Sequence, residues 1–310
     1  MKLVTRESPM SEPDWSTGAA YIDGQYMPLR DAKIPVTEWG YRRSDVTYDV
    51  VGVYYGVFFR LDDHIKRFRN SINKLRLNPT ETDEQIKEIL TELVQRSGYR
   101  EAYVAMDCVR SRPPRGVPLH PAYGRSYLIC HVLPWVWVFT PEQQERGVHA
   151  IIGSAERIAP ESIDPTVKNF HWGDLTRGNF EAHEQGAETA ILLDRHGRVT
   201  EGPGYNVFAV FDGKVATPRS GALEGITRKS VIELCDMLGI ECELRDIHRA
   251  EFEAADEIFC STTAGGIMPI SRLGDRILGN GRPGPISTRL KDTFWEKREQ
   301  GWHATPIAYE

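Results

Sequence analysis

No stretch of this 310-residue chain is apolar for long enough to span a bilayer. The most apolar, 127–140 (YLICHVLPWVWVFT), is broken by His131 and Pro134, whereas a span needs about 20 apolar residues. It is expected to be a buried strand or strand pair. The first fifteen residues, MKLVTRESPMSEPDW, mix charges with prolines and hold no apolar run of the kind a secretory leader carries. Cysteines are few and odd in number (Cys108, Cys130, Cys235, Cys242 and Cys260), with no CxxC pair. That pattern fits buried thiols in a reducing compartment, and the expected location is the cytoplasm. Positive charge is not in excess: 38 lysines and arginines against 44 acids leave −6. A nucleic-acid partner, which needs a basic face, is not expected.

Common catalytic signatures are also missing. There is no GxxxxGK[ST] phosphate loop, no GxSxG elbow and no HExxH, and the nine histidines show no pairing at metal-ligand spacing. No metal site is expected. Gly202-Pro203-Gly204 precedes a strand-like run, while a dinucleotide loop follows a strand and opens a helix. What is present is a folded chain's balance, 40% hydrophobic and 26% charged. Its length suits about two domains.

Short strands and helices alternate along the chain. Asp23-Gly24 predicts a hairpin turn within 20–27, and Tyr55-Gly56 another within the β-branched and aromatic run 46–59. Ile65, Phe68, Ile72 and Leu75 recur at helical spacing and predict a helix over 62–77, with Asp62 or Asp63 as N-cap. A second helix is predicted over 82–97 with Gly98 ending it. Four prolines within 111–124 exclude regular structure there and mark a long, functional or interdomain loop. Later strands are predicted at 148–155, 189–194, 206–211, 214–217 and 257–261, with helices at 172–185, 227–238 and 286–299. Mixed short strands with segregated helices indicate an α+β fold. The predicted division is a small N-terminal domain, 1–134, a connection at 135–141 and a larger domain, 142–310.

Four segments carry candidate chemistry. In TVKNFHWGD, Lys168 precedes an aromatic pair and a helix start, although a lysine so placed is ordinarily a solvated charge. In TEGPGYN, Glu201 lies at a turn into an apolar strand. Gly225-Ile226-Thr227-Arg228 begins a helix whose free amides and dipole form an anion site, or else Thr227 is a plain N-cap. STTAGGI at 261–267 is a hydroxyl- and glycine-rich loop, or a plain turn.

Taken in order, KNFHWGD, TEGPGYN, LEGITRKSV and FCSTTAGGIMPI resemble the fold type IV pyridoxal-phosphate enzymes, the family of branched-chain and D-amino-acid aminotransferases. The N-terminal LDDHIKRF extends the resemblance over nearly the whole chain. Within the family, SDVTYDV (44–50) and the FCSTTAGGIMPI segment look most like (R)-selective amine transaminases. One departure is Arg43, which stands where the better-known fungal amine transaminases carry histidine.

The resemblance implies that Lys168 is joined to pyridoxal 5'-phosphate and moves the proton in transamination, with Glu201 against the ring nitrogen. It implies a phosphate cup of Arg67, Ile226, Thr227 and Thr263, and places Tyr205 and Asn206 beside the ring. Tyr48, Val50, Tyr103, Trp172, Thr262 and Ala264 match positions lining the substrate pockets, and Arg43 adjoins the larger one. Arg115 matches a mobile arginine that pairs with the keto-acid carboxylate, and Arg112 is the competing choice. The implied reaction moves an amino group from an (R)-configured aryl-alkyl or alkyl amine to a keto acid such as pyruvate. The alternative is a D-amino-acid or branched-chain aminotransferase. A homodimer is also implied, and aromatics at 54–59 and 135–139 suit either its interface or core packing.

Overall fold

The computed structural model describes residues 14–309. The reading of the first residues as carrying no leader therefore lies outside the described residues from 1 to 13. Two antiparallel-rich sheets organise the chain, with most helices on their outer faces, and this is the α+β fold predicted. The first sheet runs Ala304–Pro306, Val57–Phe59, Val46–Tyr54, Ala102–Arg110, Ser126–Pro134, Ala19–Ile22 and Gln25–Pro28. The second runs Cys242–Arg245, Lys214–Pro218, Tyr205–Phe211, Glu257–Thr262, Gly266–Leu273, Val148–Glu156 and Thr189–Leu193.

Local chemistry explains most of the elements. At both predicted hairpin turns the two residues take positive φ (Asp23 50°, Gly24 89°, Tyr55 54°, Gly56 75°), as a type I′ turn requires. Helix Asp83–Ser97 begins in a reciprocal cap between Thr82 and Gln85 and stops at Gly98, whose φ is 67°. Helix Leu61–Lys74 departs from expectation at its start. Its N-cap is Arg60, in the left-handed region, while Asp62 and Asp63 lie in the first turn and face the dipole there. Together these two helices cover one face of the first sheet, burying Phe58, Phe68, Ile86, Leu90 and Met106. Helices Ile226–Leu238 and Pro285–Glu299 cover the second sheet in the same way, around Phe208, Phe259, Leu234 and Phe294.

Three further departures matter. The run 127–140 is a strand only to Pro134, and 135–140 then crosses toward the second sheet. STTAGGI is neither a loop nor a plain turn throughout: Thr262 pairs with Gly266 across a tight turn, and the chain returns as a central strand despite Pro269. The aromatics at 54–59 and 135–139 largely pack within the chain. Tyr54, Phe59, Trp135 and Trp295 surround the buried guanidinium of Arg298, with Cζ to ring-centre distances from 4.8 to 6.0 Å. They therefore lend no weight to a dimer interface. The division at 134 and 142 stays a proposal, and one strand crosses it, because Ala304–Pro306 pairs with Val57–Phe59 of the first sheet. No helix among the described residues is long and apolar enough to cross a membrane.

Candidate active site

A cavity of about 590 Å³ lies between the two sheets and is lined from both. Lys168 lines it, in a segment stapled to the first sheet. Tyr48 N donates to Lys168 O at 3.1 Å, and Thr47 Oγ1 donates to the same oxygen at 2.6 Å. The Lys168 ammonium lies 4.3 Å from the centre of the Tyr48 ring. Burial, with the positive charge of Arg67 nearby, lowers its pKa to about 8. This lysine is therefore not a solvated surface charge. An amine so perturbed is poised to exchange a proton near neutrality.

Glu201 lies in a short strand pairing with Tyr205–Phe211, across from Asn206. Its Oε2 accepts from Leu223 N at 3.0 Å, and its Oε1 accepts from Arg157 Nη2 at 3.0 Å. Arg157 also donates to Asp174 Oδ2 at 2.6 Å. One guanidinium thus serves two carboxylates, and the trio keeps a net charge of −1 beside the cavity.

The opposite end is built for an anion. The amides of Ile226 and Thr227 open a helix of thirteen residues, where backbone donors have no intrahelical acceptor. Gly225, not Thr227, is the N-cap, so the reading of Thr227 as a plain cap fails. A Cβ at Gly225 would collide with Asn206 Oδ1, and Asn206 Nδ2 donates to Leu223 O at 2.7 Å. Asn206 therefore braces the turn that presents those amides. Arg67 reaches the same region and donates to Glu224 O at 3.1 Å.

Arg67 is itself held by a carboxylate unremarked in the sequence. Its Nε and Nη2 donate to Asp49 Oδ2 and Oδ1, both at 2.8 Å, and His64 Nδ1 lies 2.8 Å from Oδ1. Burial acts to raise the Asp49 pKa, but Arg67 and His64 overcome it and hold the carboxylate well below its usual range. Burial keeps His64 neutral, so its Nδ1 carries the proton it donates. His64 precedes Arg67 by three residues on one helix face, a spacing that could have drawn attention to both.

Of the residues singled out in the sequence, most come together here. Tyr48, Val50, Arg67, Tyr103, Lys168, Trp172, Glu201, Tyr205, Asn206, Ile226, Thr227, Thr262, Thr263 and Ala264 all line the cavity. Three do not. Arg43 is exposed, stacks on Trp39 at 3.9 Å from the ring centre and is absent from the cavity lining. Arg112 and Arg115 are exposed on the proline-rich loop and are absent from the lining. Tyr205 lines the wall but sends its hydroxyl outward to Thr189 Oγ1, 2.8 Å away, rather than toward Glu201. Sequence reasoning missed Asp49, His64, Arg157, His131, Leu133 and Ser261. The Ser261 hydroxyl lines the cavity, is buried and has no partner among the described residues.

The donor set suits a phosphorylated pyridine aldehyde: an amine for the aldehyde, a net-negative carboxylate trio for the ring nitrogen, and a cup of backbone amides with a guanidinium for the phosphate. The unsatisfied Ser261 hydroxyl and the crowded Gly225 mark a cavity shaped around a polar guest. Among the described residues no group of three or more His, Cys, Asp or Glu side chains is placed to hold a metal ion.

Known proteins point the same way. The chain is 29% identical over 283 residues to the branched-chain-amino-acid aminotransferase of Salmonella typhimurium strain LT2, spanning 89% of this chain and 91% of that protein. The crystal structure of the Escherichia coli branched-chain amino acid aminotransferase superposes with a TM-score of 0.88 at 26% identity, over 94% of this chain and all of that one. The branched-chain amino acid aminotransferase from Thermobaculum terrenum, solved in its PLP-form, gives 0.85 at 26% identity, over 95% and 100%. The family model for class IV amino-transferases matches residues 47–273, and the chain belongs to that family.

Proposed function

We propose that this aminotransferase uses pyridoxal 5'-phosphate to move an amino group from an (R)-configured primary amine, aryl-alkyl or alkyl, to a keto acid such as pyruvate. One observation carries the choice of donor. The cations lining the cavity are Lys168, Arg67 and Arg157, and both arginines are already committed, to Asp49 and to the Glu201–Asp174 pair. The walls around Lys168 are otherwise largely aromatic and aliphatic: Tyr48, Val50, Tyr103, Leu133 and Trp172. An amino-acid donor brings a carboxylate that needs a standing cation, whereas an apolar amine does not.

The bound cofactor supplies an electron sink for the carbon that bears the amine. The chain supplies the rest. Lys168 Nζ, lowered to about 8, takes a proton from that carbon and would return one two atoms away, on the far side of the amine nitrogen. Glu201, steadied by Arg157 and Leu223 N, offers its remaining lone pairs to the ring nitrogen. Arg67, the amides of Ile226 and Thr227 and the Thr263 hydroxyl hold the phosphate. The keto-acid carboxylate draws Arg115, or Arg112, inward from the proline-rich loop. Arg115→Ala is expected to impair the keto-acid half-reaction and spare the amine half-reaction, and equal loss in both rejects the switch.

A branched-chain amino-acid donor is the second reading, favoured by the names of the relatives and solved structures matched here. Half-reaction spectra with (R)-1-phenylethylamine, L-leucine and D-alanine separate the readings. The proposal expects the amine to bleach the cofactor absorbance fastest, and it falls if L-leucine does. Chiral analysis of the amine made from an aryl ketone tests the (R) assignment, which an (S) product ends. A homodimer working in the cytoplasm completes the proposal, and sedimentation tests the assembly.

A further inference from the structure

The contact between Arg157 and Glu201 is lopsided. Nε and Nη2 of the guanidinium both donate to Glu201 Oε1, at 3.2 and 3.0 Å. Glu201 Oε2 receives only Leu223 N among the described residues, at 3.0 Å. The remaining arm of Arg157 goes elsewhere: Nη1 donates to Asp174 Oδ2 at 2.6 Å. The side chains of Arg157, Asp174 and Glu201 are only 11%, 8% and 9% exposed, so water screens these charges little. Arg157 and Glu201 alone would make a neutral pair at the cavity wall. With Asp174 sharing the guanidinium, the group carries a net charge of −1.

Asp174 is firmly placed. It lies in the first turn of helix Gly173–Glu184, where a carboxylate is favoured by the helix dipole. Its Oδ1 accepts from Leu175 N and its Oδ2 also from Ile158 N, both at 2.8 Å. Arg157 and Glu201 line the cavity, while Asp174 is absent from the lining and acts from behind them. Burial acts to lower the Arg157 pKa, but Glu201 and Asp174 overcome it, and the guanidinium keeps its charge. An acceptor for the helix start needs only backbone partners. This one also holds a buried cation that would otherwise belong wholly to Glu201.

We propose that Asp174 is a positioning residue for the ring nitrogen of pyridoxal phosphate: by sharing Arg157, it leaves Glu201 the excess negative charge that keeps that nitrogen protonated. A protonated nitrogen strengthens the electron sink on which proton removal by Lys168 depends. This rests on the cofactor reading above and is independent of which donor is used.

The experiment loads wild type and Asp174→Asn with pyridoxal phosphate carrying nitrogen-15 in its ring and follows the ring-nitrogen shift against pH. Asparagine keeps the shape and one acceptor oxygen but not the charge. A negative charge favours the protonated nitrogen, so its loss should move the deprotonation midpoint down by about one pH unit. Affinity gives a second measure. The preference of the cofactor-free chain for pyridoxal phosphate over the analogue with CH in place of the ring nitrogen should fall by about tenfold in Asp174→Asn. Where the wild-type midpoint lies above the range in which the chain stays folded, this ratio decides. An equal loss of affinity for both compounds overturns the proposal, because a merely structural acceptor weakens both alike. An unchanged ratio with unchanged affinities overturns it too. Asp174→Ser, which retains an acceptor at the helix start, serves if the asparagine variant does not fold. Either failure leaves the cofactor reading standing, whereas a wild type that binds neither compound ends that reading and this one with it.

Discussion

The two ends of the cavity are built on opposite plans. At the end where helix Ile226–Leu238 begins, each charge is answered: Arg67 by Asp49, Asp49 by His64, and the turn before the helix by Asn206. At the other end, Tyr48, Val50, Tyr103 and Leu133 make an aromatic and aliphatic wall. A satisfied network is rigid and holds one unchanging anion. An apolar wall selects by shape and by the area it buries, so it is the end at which specificity is expected to vary between relatives.

The largest expected effect tests whether both ends serve one reaction centre. Lys168→Ala should lower transamination by about 10⁴-fold, the upper range for a positioned proton carrier. The same variant should lose borohydride fixation of pyridoxal phosphate, read by intact mass. Retained fixation would place the centre on another lysine and dissolve the comparison.

Stability separates the ends more directly. Asp49→Leu leaves Arg67 and His64 buried without their carboxylate and should cost about 3–5 kcal/mol in a denaturant melt. Tyr103→Phe, at the apolar end, should instead change stability by less than about 1 kcal/mol, because the Tyr103 hydroxyl has no hydrogen-bond partner among the described residues. Similar losses at both positions would show that the Tyr103 hydroxyl has a partner of its own.

A pH titration gives the smallest effect and sharpens the picture of Lys168. Capture of pyridoxal phosphate by the cofactor-free chain needs the neutral amine. The folded-state pKa lies below the ordinary lysine value, so the neutral form prevails above about pH 8. The capture rate should therefore rise with pH to a midpoint near 8, well short of the roughly 10.4 of a solvated lysine. Arg67→Met removes a neighbouring positive charge and should move that midpoint upward.

Much of the site was legible because its residues sit in compact segments where local spacing and chemistry coincide. Lys168, Glu201, Thr227 and the 262–264 turn each lie within such a segment. Asp49 and Arg157 were not legible, since each acquires its meaning from residues far along the chain. Asp49 meets Arg67 through the docking of a helix on a sheet, and Arg157 meets Glu201 forty-four residues away. Arg43 illustrates the reverse error, in which position along a motif did not determine where a long, exposed side chain points. The fold shows the same division. Helix Asp83–Ser97 and the Asp23-Gly24 hairpin follow from local rules. Strand Gly266–Leu273 was hidden by Pro269, and no local rule could pair 304–306 with 57–59.

That last pairing has a consequence for biosynthesis. Ile307 N donates to Gly56 O, and Tyr309 hydroxyl to Tyr99 O, so the first sheet is finished by residues made long after its other strands. Until then Val57–Phe59 is a bare, apolar border with unpaired amides, open to any passing strand. A nascent or truncated chain lacking residues 304–309 should therefore recruit chaperones or aggregate through that border, even though every residue around the cavity has already been made.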